Sequence, residues 1–112
     1  MEKIIEKLKS IGFSKTEALI YTTLLTIGRA SGYKLAKELE LSKSTIYQML
    51  DTMCKNGYIL LIPNTSKEYE AKDPELLLEE MEKKYMGTFK NLKSDLKNLD
   101  KTVKTEYFYK LR

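Results

Sequence analysis

Two residues, Glu40 and Leu41, separate two stretches that both read as helix, and no other feature limits the fold of this chain as much. A connection this short forces the flanking helices into a sharp corner, the geometry of a helix-turn-helix. Upstream, Ser31 is placed to cap a short helix over GYKLAKEL, with Leu35, Ala36 and Leu39 predicted inward and Lys34 and Lys37 outward. Leu41 is expected to plug the corner. Downstream, Ser42 is an N-cap and Gly57 a stop, because glycine enters the left-handed conformation without a side-chain clash. The second helix is therefore predicted over Lys43 to Asn56.

Placed at about 100° per residue, Ile46, Leu50 and Met53 of that helix form one apolar stripe, with Met49 and Cys54 on its shoulders. The opposite face carries Ser44, Thr45, Gln48, Thr52 and Lys55, with Asp51 as its one acid. Solvated helix faces usually alternate Glu and Lys at spacings of three and four, whereas this one is rich in short hydrogen-bonding groups. It suits a DNA major groove. Ser44, Thr45 and Gln48 are the expected contacts to base edges, with Gln48 suited to a bidentate contact with adenine. The amides at the Ser42 cap, with Lys34, Lys43 and Lys67, are expected on phosphates, and Lys55 on the same face. Tyr47 falls at the border of core and groove, where its ring packs while its hydroxyl reaches outward.

Earlier in the chain, Ile4, Ile5, Leu8 and Ile11 recur at helical spacing, which predicts a first helix over Glu2 to Ser10 that packs on later elements. Ser14 and Glu17 form a capping box, with Phe13 positioned to staple onto Ala18. The helix they open presents Ile20, Tyr21, Leu24, Leu25 and Ile27 as a broad apolar surface, and Gly28 closes it. After Gly57 the period changes. Tyr58 to Ile62 is an apolar run, PNTS supplies turn residues, and KEYEA alternates as far as Ala71, so a two-stranded hairpin is predicted. Its tip, Asn64, Thr65, Ser66 and Lys67, would be a wing whose polar groups reach phosphate or minor-groove edges, although a turn is polar without any ligand.

Asp73 and Pro74 are an N-cap followed by proline at the first helical position. From there Leu78, Met81, Tyr85, Phe89, Leu92, Leu96, Leu99 and Val103 recur in steps of three and four, a heptad seam with one four-residue insertion near Tyr85, where Gly87 could mark a bend. A helix from Pro74 to about Thr105 would be roughly 48 Å long. A domain of some 70 residues cannot cover it, so the seam predicts a homodimeric coiled coil. The final TEYFYKLR leaves the heptad, and Tyr107, Phe108 and Tyr109 read as a strand-like cluster that either caps the dimer or opens a further domain. The expected division is a winged helix-turn-helix over residues 1–72 and a dimerisation helix with an aromatic tail over 73–112. The fold class is mainly α with a small β-hairpin.

The 112 residues, 42% of them apolar, allow one modest core. Net charge is +4, and residues 1–72 hold 11 Lys or Arg against 8 acids, while 73–112 hold 9 against 8. The first part is the more suited to a polyanion. There is no histidine and no glycine-rich phosphate loop, so neither catalysis, metal nor cofactor is expected. Cys54, the one cysteine, could in principle be a nucleophile or redox sensor, but without a basic partner in sequence it reads as a structural thiol. No apolar run approaches a membrane span and no leader pattern is present. A cytoplasmic protein is expected.

The segment GFSKTEALIYTTLLTIGRASGYKLAKELELSKSTIYQMLDTMCKNGYI, with YEAKDPELLLEEM joining the hairpin to the last helix, resembles the N-terminal part of the TrmB family of transcriptional regulators. The resemblance covers about residues 4–105, and the related MarR-like winged helices share much of the pattern. It implies a dimeric regulator of double-stranded DNA, with a small-molecule effector only where a further C-terminal domain follows the coiled coil. Two other readings stay open: a winged-helix adaptor that docks proteins rather than DNA, and the dimerisation and substrate-presenting part of an enzyme.

Overall fold

The computed structural model describes residues 1–63 and 66–111, the stretch 101–111 as backbone alone. Its elements, in order, are α1 (Glu2–Ser10), α2 (Lys15–Ile27), β1 (Arg29–Ser31), α3 (Gly32–Leu39), α4 (Lys43–Lys55), β2 (Ile59–Ile62), β3 (Glu68–Ala71) and α5 (Pro74–Leu111). Two compact units divide the chain, Met1–Leu77 and the remainder from Leu78.

Local chemistry sets most of the boundaries. Glu17 N–H donates to Ser14 Oγ at 3.1 Å and Ser14 N–H to Glu17 Oε1 at 2.8 Å, the reciprocal pair of a capping box. Ser31 Oγ accepts from Lys34 N–H and Ser42 Oγ from Thr45 N–H, so both helices of the corner begin on a serine. α4 ends with Gly57 N–H donating to the Cys54 carbonyl and Tyr58 N–H to the Met53 carbonyl, with Gly57 at φ 78°. This is a Schellman cap, and its left-handed residue is glycine. α3 closes the same way, through Glu40 N–H to Lys37 O at 3.4 Å and Leu41 N–H to Ala36 O at 2.9 Å, but its left-handed residue, at φ 54°, is Glu40.

The sheet departs from the predicted hairpin. It has three strands in the order β1-β3-β2, all antiparallel, with Arg29 opposite Glu70, Ala30 opposite Tyr69 and Ser31 opposite Glu68. Arg29–Ser31 is too short to show a period in sequence and is a strand because β3 lies alongside. Ile59 faces Ala71 and Leu61 faces Tyr69 across β2 and β3.

The largest fully buried side chains of the core are Ile20, Leu24, Leu35, Ile46, Leu50, Met53 and Ile59. Phe13 and Ala18 are both buried, and the Phe13 ring stacks on Tyr58 at 4.4 Å and meets Tyr21 edge-on at 6.0 Å. Tyr21 spans the fold, its hydroxyl donating to the Lys72 carbonyl at 2.7 Å. Other apolar residues predicted inward lie outside this core: Ile4, Ile11, Leu25 and Ile27 are exposed, and Leu39 is half-buried. Of α1 only Ile5 is buried.

α5 also differs from its predicted end. It passes Gly87 and Thr105 without a break and reaches Leu111, so the backbone at Tyr107, Phe108 and Tyr109 is helical rather than strand-like. No proline interrupts the sequence there, and the helix penalty of aromatic residues is only a few tenths of a kcal/mol each. No described helix is long and apolar enough to cross a membrane.

Candidate nucleic-acid interface

On α4 the residues Lys43, Ser44, Thr45, Tyr47, Gln48, Thr52 and Lys55 are all exposed, while Ile46, Leu50 and Met53 are buried. The predicted division of this helix into two faces is the observed one. At its start three hydroxyls converge: Ser42 Oγ donates to Thr45 Oγ1 at 2.8 Å and lies 3.3 Å from Ser44 Oγ. The hydrogen of the Thr45 hydroxyl is left to point elsewhere. Thr52 is different, because its hydroxyl turns back onto the Gln48 carbonyl at 3.0 Å. Lys55, assigned to the interface from sequence, has its ammonium 3.2 Å from Asp51 Oδ2, so the single acid of this face is paired with the cation at its far end.

Helix termini carry roughly half an elementary charge, and an acid in the first turn offsets the positive end. α1, α2 and α5 follow this rule with Glu2, Glu17 and Glu75 in their first turns. α3 and α4 have no acid there, and carry the exposed Lys34 and Lys43 instead. The two helices of the corner thus leave their positive ends uncompensated, an arrangement suited to an external anion.

Tyr33 escaped the sequence reading. Its ring is half exposed, with Lys43 Nζ 5.1 Å and Lys37 Nζ 6.0 Å from its centroid. The spacing of Tyr33 and Lys37, one helical turn, could have pointed to the first contact, but Lys43 reaches the ring across the corner and left no sequence signal. Tyr47 lies at the border of core and surface as predicted: the residue is 44% exposed and its ring approaches the backbone of Gly32.

In the hairpin Lys67 is exposed and adopts φ 59°, while Asn64 and Thr65 lie outside the described residues. On α5, taken by itself, Leu78, Tyr85, Phe89, Leu92, Leu96 and Leu99 are exposed. The Val103 side chain lies outside the described residues. Cys54 is half-buried, and burial first, then the nearby Asp51 carboxylate, pushes its thiol above the usual range. That disfavours the thiolate a nucleophile needs.

A helix-turn-helix followed by a β-hairpin defines the winged helix-turn-helix class. The family model described as sugar-specific transcriptional regulator TrmB matches residues 8–75, and the chain belongs to this family of transcriptional regulators. Among curated proteins it is similar to the HTH-type sugar sensing transcriptional regulator TrmBL1 of Pyrococcus furiosus, with 29% identity over 105 residues, which are 94% of this chain and 31% of that protein. Among solved structures it resembles TrmBL2, an archaeal chromatin protein described as showing a novel mode of DNA binding, with a TM-score of 0.81 and 20% identity over 91% of this chain and 40% of that one. At that identity the likeness is one of fold. The chain spans about a third of TrmBL1 and two fifths of the TrmBL2 chain.

Proposed function

We propose that this chain binds double-stranded DNA as a homodimer and so regulates transcription, each copy laying α4 in a major groove. The observation that carries this reading is the outer face of α4, exposed along its length, lined by Ser44, Thr45 and Gln48, and opened by a lysine with no acid in the first turn. Membership of the TrmB family supports it. Ser44, Thr45 and Gln48 meet base edges, with Gln48 paired to adenine through its amide. Lys34, Lys43, Lys67 and the amides at the Ser42 cap hold phosphates, and the wing reaches backbone or minor groove through Asn64 and Lys67. The exposed seam of α5 joins two copies, setting their α4 helices about 34 Å apart, one turn of duplex, on a roughly palindromic site.

A gel shift or anisotropy titration on duplex from the upstream region of its own gene, at several salt concentrations, tests this. Micromolar or tighter binding that weakens steeply with salt is expected. Gln48→Ala should lower affinity by about 1–3 kcal/mol at one base position only, whereas Lys67→Ala should weaken all sequences alike and reduce the salt slope by about 0.9. Absence of a salt-sensitive shift, or a loss for Gln48→Ala that is equal on specific and random duplex, overturns the reading.

A further inference from the structure

We infer that Tyr33 is a positioning residue for the DNA backbone, its ring holding Lys37 and Lys43 together as one two-cation clasp for phosphate; this rests on the reading of the chain as a DNA binder. Lys37 comes from the last turn of α3 and Lys43 from the first turn of α4, so sequence-local geometry does not bring them together. Both nevertheless reach the same ring, with the ammonium groups 6.0 and 5.1 Å from its centroid and so at most about 11 Å from each other. Two like charges beside one aromatic ring repel each other, and an exposed cation on a ring gains only a little from it. No salt bridge to either lysine is found among the described residues. An anion set against both cations removes the repulsion and gains from each of them. DNA presents such anions in rows, with a phosphate roughly every 1.7 Å of helix axis when both strands are counted.

The ring acts through the lysines. A free lysine loses much rotamer freedom when it is fixed on a phosphate, and a side chain already held on a ring loses less at the moment of binding. Tyr33 therefore raises affinity without itself touching a phosphate. The gain is blind to base sequence. It also gives a role to an aromatic that stands 54% exposed on the corner.

The test uses the full chain and a random-sequence duplex of roughly 30 base pairs, so the operator need not be known. Tyr33→Leu should lower affinity about three- to tenfold with the salt slope unchanged, Tyr33→Phe less than about twofold, and Tyr33→Trp should restore or exceed the wild type, because the indole is the better cation platform. In a Lys37→Gln/Lys43→Gln background, whose slope falls by about 0.9 for each phosphate it no longer neutralises, Tyr33→Leu should change affinity less than about twofold. Circular dichroism confirms that each variant is folded. Equal losses for Tyr33→Leu with and without the lysines, or no loss at all, overturn the clasp while leaving DNA binding intact. Failure of the wild type to bind duplex overturns the clasp together with the function it rests on.

Discussion

The ring of Tyr47 occupies the space a side chain at Gly32 would need: an added Cβ would stand 2.7 Å from Tyr47 Cε1 and 3.3 Å from Leu50 Cδ1. The first residue of α3 thus fixes how closely α4 approaches. Gly32→Ala gains helix propensity but overpacks this contact, and a net loss of about 1–2 kcal/mol is expected. Combined with Tyr47→Ala the same substitution should be neutral or stabilising. Thermal unfolding of the four proteins of the cycle measures this, and an identical effect of Gly32→Ala in both backgrounds would show that the contact is immaterial.

Tyr21 gives stability a dependence on high pH. Burial, with a smaller contribution from the Asp73 carboxylate, pushes its phenol up from 10.0 to about 12. As pH rises from about 10 toward 12 the unfolded chain loses this proton first, so it holds fewer protons than the folded one and stability falls. The contribution is complete below pH 10 and gone above 12, on the order of 2–3 kcal/mol at most. Tyr21→Phe should be less stable by about 1–2 kcal/mol at pH 7, where it leaves the Lys72 carbonyl without its donor. That deficit should vanish by pH 12. Urea unfolding at pH 7, 10 and 11.5 decides it, and parallel curves for the two proteins would refute it.

Glu40 is the weak point of the corner. An L-residue at φ 54° is strained by about 1–2 kcal/mol, and part of this is recovered by a glycine, whose unfolded state is the more mobile. Glu40→Gly should therefore stabilise by about 0.5–1 kcal/mol, a rise of a few degrees in Tm. A fall in Tm would mean that the Glu40 side chain makes a compensating interaction.

The features legible in the sequence are those a few neighbouring residues decide. Ser14, Ser31 and Ser42 cap the helices their positions predict, since each bond closes within three residues. The buried stripe of α4 follows from its period alone. Strand β1 was not legible, because Ala30 extends only in answer to Tyr69, nearly forty residues on. Leu25 and Ile27 keep the period of a core helix, yet nothing in the period shows that the packed layers stop short of them. In the candidate site, exposure was legible and pairing less so. The four-residue spacing of Asp51 and Lys55 predicts their ion pair, whereas the approach of Lys43 to Tyr33 depends on the angle of the corner.

The seam on α5 makes the sharpest demand on the proposed assembly. Leu92, Leu96 and Leu99 are 43%, 56% and 60% exposed on one helix of 38 residues. Fully burying a leucine is worth about 1.5–3 kcal/mol, so two copies sharing this face recover far more than either copy alone. Leu96→Asp would place a carboxylate inside that interface, where an unpaired charge is strongly unfavourable. The wild type should sediment as a dimer at micromolar concentration, with a Tm that rises with concentration, and Leu96→Asp as a monomer whose Tm does not. DNA affinity should fall by tenfold or more in the variant, since the two half-sites are then bound independently. A wild-type monomer at tens of micromolar, or a Leu96→Asp dimer, would remove α5 from the interface.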